Sequence, residues 1–169
     1  MSARPSDTVR IEPLTEASLP ACLEIYNYYV VNTVFSLEEA ALTRQEYAAR
    51  AERVTRRYPF LVAKDGDAVV GFAYLDVFNS RSAYRHTADL SIYVAHDALH
   101  RRVGAALLDT IEEAARAQGI TTLISLITSE NDNSCAFHER NGFVLEGDLH
   151  DVAVKFGRQV GVRYYRKRL

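Results

Sequence analysis

Between Asp89 and Gly119 the side-chain periodicity changes once, from two residues to about 3.6, and that change leaves few folds open. In Leu90-Ser91-Ile92-Tyr93-Val94 the apolar side chains alternate, as in a strand with one buried face. From Val103 onward Val103, Ala106, Leu107, Thr110, Ile111 and Ala114 recur at helical spacing. Asp109, Glu112, Glu113 and Arg116 fill the outer face, and Gly119 is placed to end the helix. A helix N-terminus presents unpaired backbone N–H groups and the positive end of its dipole, and here Arg101 and Arg102 stand beside it. The junction is therefore a place for a phosphate-bearing ligand. Taken alone it is a weak signal, because basic turns also precede helices that bind nothing.

The rest of the chain reads as alternating helices and strands. Val9–Pro13 is a short strand, and a helix runs from about Leu19 to Val30 with Leu19, Cys22, Leu23, Tyr26 and Val30 on one face. Thr43-Arg44-Gln45-Glu46 has the form of a capping box and opens a second helix that stops before Tyr58-Pro59. Phe60–Lys64 and Ala68–Leu75 form a hairpin around Asp65-Gly66-Asp67. A polar loop, Asn79–Tyr84, precedes the strand that carries Asp89. Thr121–Thr128 is β-branched and apolar, a short helix covers about Ser134–Asn141, and Val144–Tyr165 supplies two or three strands with a turn at Gly157-Arg158. The order βααβββαβαββ predicts an α+β fold, a sheet with helices on its faces.

Composition narrows the class. A chain of 169 residues with 48% hydrophobic residues fits a single domain, expected to span residues 1–169. A formal net charge of −2 gives no basic field for nucleic acid or a membrane surface. The start, MSARPSDTVRIEP, has no apolar core of a signal peptide, and no apolar run approaches membrane-spanning length. Cys22 and Cys135 are far apart and lack metal-ligand spacing, which suits a reduced, cytoplasmic protein.

A second constellation gives the first its meaning. In Asn131-Asp132-Asn133-Ser134-Cys135-Ala136-Phe137-His138-Glu139-Arg140-Asn141-Gly142-Phe143, Asn131 and Ser134 fall where a strand gives way to a helix. They can meet a ligand, or Asn131 can simply cap the helix. His138 projects from that helix, and Gly142-Phe143 returns the chain to the sheet. The colinear order of strand, glycine-bearing turn, helix, strand, Asn-x-x-Ser, His and Gly-Phe resembles the GNAT acyltransferase superfamily. Ile25–Val30, Tyr58–Ala63, Tyr84–Asp89 and Lys155–Arg158 make it similar to the phosphinothricin and methionine-sulfoximine N-acetyltransferases over nearly its whole length.

The resemblance implies a mixed, mostly antiparallel GNAT sheet with helices on both faces. It implies direct transfer of an acetyl group from acetyl-CoA, with no metal, to the amine of a small amino acid or analogue of the phosphinothricin, methionine sulfone or sulfoximine, or arsenical type. It also implies a homodimer. Asp89 occupies the position of the general base, usually a glutamate and working through water. The Val94 N–H would polarise the thioester carbonyl. His138 stands where many members carry a tyrosine that protonates the departing thiolate; free imidazole titrates near ~6.5. Acetyl-CoA would meet Ile92, Tyr93, Val94, His100, Arg101, Arg102, Val103, Gly104, Ala105, Asn131 and Ser134. Phe35, Arg81 and Tyr84 would line the acceptor pocket, Arg81 through a bidentate contact to an oxyanion.

Each residue also has a plainer reading. Asp89 can pair with Arg85 or Arg81, His138 can pack beside Phe137 and hold a backbone carbonyl, and Arg81 can be a solvated loop residue. Cys135 reads as a small packing residue rather than a nucleophile. In the ungapped register Leu99 replaces the family's basic or amide residue and Arg102 its first glycine, which implies weaker acetyl-CoA binding. Backbone donors survive such changes wherever the turn avoids positive φ. Gln159-Val160-Gly161 replaces the usual Trp-Leu-Asp. His96 and His100 mimic a zinc pair, but they fall in a turn without a third ligand. Two further functions stay open: a CoA-binding regulatory domain that has lost catalysis, and a peptide or protein N-acetyltransferase.

Overall fold

A computed structural model describes residues 9–99 and 102–169. The elements follow in the expected order: β1 (Arg10–Pro13), α1 (Leu19–Asn32), α2 (Arg44–Thr55), β2 (Phe60–Asp65), β3 (Ala68–Val77), β4 (Thr87–Val94), α3 (Val103–Ala117), β5 (Thr122–Thr128), α4 (Asp132–Arg140), β6 (Val144–Lys155) and β7 (Arg158–Arg168). The expected capping box is formed at α2: the Thr43 N–H donates to Glu46 Oε2 at 2.7 Å, and the Glu46 N–H to Thr43 Oγ1 at 3.2 Å. The β6–β7 hairpin turns at Phe156-Gly157, one residue earlier than expected, with φ of 52° and 73°. Positive φ at both central residues is what a two-residue turn between right-twisted strands requires.

The strands form one sheet in the order β1-β2-β3-β4-β5-β7-β6, antiparallel except for β4 and β5. The α1 and α2 helices cover one face, where Tyr26, Tyr47, Phe72 and Tyr93 pack ring against ring. On the other face α3 lies so close to β3 that a Cβ at Gly71 would come within 3.0 Å of Val103 Cγ1 and 3.3 Å of Leu107 Cδ1. No larger residue fits there without moving the helix. The buried stripe of α3 is Val103, Leu107, Leu108, Ile111, Glu112 and Ala115, which corrects the expected face. Glu112 is buried because Lys167 of β7 and Arg116, at 3.3 Å, neutralise it beneath the helix. Both cysteines are free and buried.

The β4–β5 pair positions the site. Parallel pairing covers only Thr87–Thr122, Ala88–Leu123 and Asp89–Ile124, after which the strands part. β3 continues to pair with β4 as far as Val94, and β7 with β5 as far as Thr128. The sheet is therefore split from within.

Candidate active site

Backbone geometry comes first. The Ala95 N–H donates to Val70 O at 2.9 Å. Bonded and non-bonded pairs alternate in an antiparallel ladder, so the N–H groups of Ile92 and Val94 turn away from β3 and into the gap beside β5. The outward-facing Val94 carbonyl accepts the Tyr29 hydroxyl at 2.5 Å. Ser125 Oγ donates to Leu90 O at 3.4 Å, close to where the strands separate.

The gap joins two clefts. The larger, of about 530 Å³, lies on the α3 face and is lined by the Leu90–Val94 segment, Arg102, Val103, Gly104, Ala105, Asn131, Ser134 and His138, among others. It ends on the first turn of α3, whose free amides suit a phosphate. The smaller, of about 380 Å³, opens on the α1–α2 face between Tyr26, Ser36, Glu38, Tyr74, Thr128 and Val162. Phe35, Ser91, Tyr93 and Leu126 border both, so a ligand in one can reach a ligand in the other.

Arg102 adopts φ 59° and ψ 13°, the left-handed conformation. The turn thus demands positive φ at the position where the resembling family has its first glycine, and an arginine meets that demand at a cost of about 1–2 kcal/mol. His100 and Arg101 lie outside the described residues. His96 stacks on Tyr28 with ring centroids 4.1 Å apart. Among the described residues there is no group of three or more His, Cys, Asp or Glu side chains that could hold a metal ion.

Asp89 stands at the last β4–β5 pair, half-buried, on the same strand face as Ser91 and Tyr93. It lines neither cleft; Ser91 lies between it and the opening. Burial, reinforced by the Asp76 carboxylate, pushes the Asp89 carboxyl up to about 7. Arg85 and Arg81 form no ion pair with it. The His138 ring is buried between Phe137, Phe143 and Tyr165. Its Nδ1 lies 2.8 Å from the Ser134 carbonyl, so the proton is on Nδ1 and donates there. Burial lowers its pKa despite that bond, which corrects the expectation of an ordinary imidazole and leaves the ring neutral at pH 7. Asn131 caps α4 by accepting the Ser134 N–H at 3.2 Å, while both residues also face the cleft.

Of the three expected acceptor residues only Phe35 reaches the clefts. Arg81 and Tyr84 lie exposed in the loop before β4, at the paired end of that strand, whereas the gap opens toward its other end. Tyr84 packs against Phe78 instead. Cys135 accepts a long contact from Arg163, 3.7 Å, and lines neither cleft, as expected of a packing residue.

Several residues of the site stand out only in the fold. Ser91 shares the face of Asp89 by the two-residue strand period, a signal that was present. Tyr29 and Leu126 reach the gap only through the sheet order, which no local pattern encodes. Lys155, 1% exposed, donates to the Ser36 carbonyl and so ties the far hairpin to the wall of the smaller cleft.

A mixed sheet opened between two parallel strands, with amides and a helix N-terminus turned into the opening, defines the acyl-transferring class of α+β folds. The Acetyltransferase (GNAT) domain profile matches residues 11–161, and the chain belongs to that family of N-acetyltransferases. A phosphinothricin N-acetyltransferase of Alcaligenes faecalis is 36% identical over 160 residues, covering 94% of this chain and 80% of that protein. An L-methionine sulfoximine/L-methionine sulfone acetyltransferase of Pseudomonas paraeruginosa is 34% identical over 155 residues, 90% of each chain. Among solved structures, a ribosomal-protein-alanine N-acetyltransferase from Brucella melitensis superposes with a TM-score of 0.91 at 36% identity, covering 95% of this chain and 99% of that one. A GNAT superfamily phosphinothricin acetyltransferase from Sinorhizobium meliloti, in complex with AcCoA, has a TM-score of 0.91 at 32% identity, covering 96% and 89%.

Proposed function

We propose that this enzyme transfers the acetyl group of acetyl-CoA directly to the α-amine of a small amino acid or analogue of the phosphinothricin or methionine-sulfoximine kind. The observation that carries the reading is the split between β4 and β5, which lets a donor on the α3 face meet an acceptor on the α1–α2 face. Acetyl-CoA supplies an acyl thioester. The α3 amides and Arg102 would hold its phosphates, with Asn131 and Ser134 beside its chain, and the Val94 N–H would bind the thioester oxygen and stabilise the charge that grows there.

The acceptor ammonium must first lose a proton. Asp89, raised toward neutrality, accepts it through Ser91 or a water, because the carboxyl stands back from the cleft. The amine nitrogen then bonds to the carbonyl carbon and sheds its second proton, and the carbon–sulfur bond breaks. CoA leaves as a thiolate that takes up a proton from solvent, so that an amide, a free thiol and one net proton result. His138 is not given the acid's part: a neutral ring whose one N–H is held by Ser134 has no proton to offer at pH 7. We assign it instead to shaping the cleft wall. No acyl-enzyme step is invoked, since Cys135 is sealed from the clefts and Ser125 is bonded to Leu90.

The test is thiol release from acetyl-CoA with a panel of phosphinothricin, methionine sulfone, methionine sulfoximine, an arsenical analogue, ordinary amino acids and an alanyl peptide. Turnover on the free amino acids is expected. Turnover on the peptide alone would move the reading to protein acetylation, and CoA binding without turnover on any amine would leave a regulatory domain. Asp89→Asn should cut kcat far more than it weakens acetyl-CoA binding. We also propose a homodimer in the cytoplasm: edge strand β6 and its turn expose Val144, Leu149, Val152, Val154 and Phe156, a strip suited to association. Light scattering that returned a monomer would refute it.

A further inference from the structure

Asp89 is not the only carboxylate at the root of the gap. Asp76 of β3 is its register partner, directly across the antiparallel β3–β4 ladder, so the two side chains leave the same face of the sheet. Cβ atoms of such pairs are about 4.5–5.5 Å apart. Asp76 is fixed from two sides. Arg53 of α2 grips it with both guanidinium nitrogens, Nη1 to Oδ1 at 2.7 Å and Nη2 to Oδ2 at 2.6 Å, and the Val77 N–H donates to Oδ1 at 2.7 Å.

We propose that Asp76, clamped by Arg53, is a positioning residue that sets the protonation of Asp89 and thereby the pH at which the enzyme gains its base. This rests on the reading of Asp89 as the base. A negative charge directly opposite disfavours a second one, so the pair shares its protons unequally. Burial raises Asp76, but Arg53 and the Val77 N–H outweigh it and hold that carboxyl below the usual range. Asp76 therefore stays ionised and Asp89 takes the proton.

The other titratable groups on this face act on the pair less directly: Arg50 of α2 adds to the pull that keeps Asp76 ionised, and the Asp89 carboxylate in turn raises Tyr74 of β3. Tyr74 of β3 hydrogen-bonds Ser91, the β4 residue after next. Arg50 of α2 is held by Glu38. Across β5 the register neighbour is the uncharged Ile124, and beyond it Arg166 of β7 is paired with Glu146 at 2.6 Å. Arg81 and Arg85 of the preceding loop are exposed.

The experiment compares pH profiles of kcat/KM for the acceptor, together with the titration of the Asp89 carboxyl followed by carbon NMR in 13C-aspartate-labelled protein. Asp76→Asn removes the opposing charge, and the acid limb and the Asp89 titration should both move down by about one pH unit. Arg53→Met leaves Asp76 without its clamp, and both should move up. Opposite shifts from two neighbouring residues are not what loosened packing would produce. The inference is overturned if both profiles stay within about 0.2 pH units of the parent, or if both variants shift the same way. Asp89→Asn separates the two readings. A limb that persists in it defeats the assignment of Asp89 as base, and this inference with it. A limb lost in Asp89→Asn yet unmoved in Asp76→Asn defeats this inference alone. The NMR titration reads the pair even where a variant turns over poorly.

Discussion

Gly71→Ala should damage the donor side of the site from behind. An added Cβ would lie 2.9 Å from the Tyr93 carbonyl oxygen and 3.0 Å from Val103 Cγ1. One of these neighbours is backbone of β4 and the other a fully buried valine side chain at the start of α3, so neither has free space to yield into. Overpacking of this kind costs about 1–3 kcal/mol. The stiffer unfolded chain returns about 0.4–1 kcal/mol of that. A net loss of about 1–2 kcal/mol corresponds to a Tm lowered by about 2–8 °C in a domain of this size. The relief lies in lifting the start of α3 from the sheet, which displaces the amides of Val103, Gly104 and Ala105. The KM for acetyl-CoA should therefore rise more than the KM for the acceptor. Thermal unfolding and initial rates with each substrate varied provide the measurement. Gly147→Ala is the control, because its Cβ meets nothing within 4 Å and its φ is ordinary; it should leave Tm unchanged or slightly raised. If Gly71→Ala matches the parent in both Tm and acetyl-CoA KM, then α3 is not pinned to the sheet at this point.

Two other outcomes follow from buried charge. The folded protein favours protonated Asp89, whose value of about 7 lies above the ~3.9 of an unfolded aspartate. That contribution to stability is whole below the unfolded value and is lost as pH rises through about 7. Asp89→Asn should accordingly melt higher than the parent at pH 8 and converge with it toward pH 4; a constant difference in Tm across that range would contradict the shift. Lys155→Met removes the hydrogen bond to the Ser36 carbonyl, worth about 1 kcal/mol, so the acceptor KM should rise about fivefold while the acetyl-CoA KM holds. An unchanged acceptor KM would show that Ser36 is not held from the hairpin.

What could be read from the sequence was whatever depends on short-range pattern. The order of strands and helices, the Thr43–Glu46 box and the strand-to-helix turn at Val103 are all local, and the structure has them where the residues put them. Local spacing puts Glu112 on the outer face of α3, whereas it is buried because its partner Lys167 comes from the last strand. The resemblance puts Arg81 and Tyr84 in the acceptor pocket, and both lie outside the two clefts; where the sheet opens depends on how far β4 and β5 stay paired, a property of two distant segments. Arg102 is the instructive case. The departure from glycine was visible, but the positive φ that makes it consequential was not.

The early end of the β4–β5 ladder has one more consequence. A sheet ordinarily has two rims of unsatisfied amide and carbonyl groups, and proteins guard them with charge, proline or bulges because another strand can add there. This sheet carries an additional rim in its middle, along Ile92 and Val94. It faces β5 across the opening, and β5 is itself paired with β7 on its other side, so this rim lies inside the sheet and not at its outer edge. The feature that turns the Ile92 and Val94 amides into the opening thus also sets a strand edge inside the sheet, where what reaches it must come through the cleft.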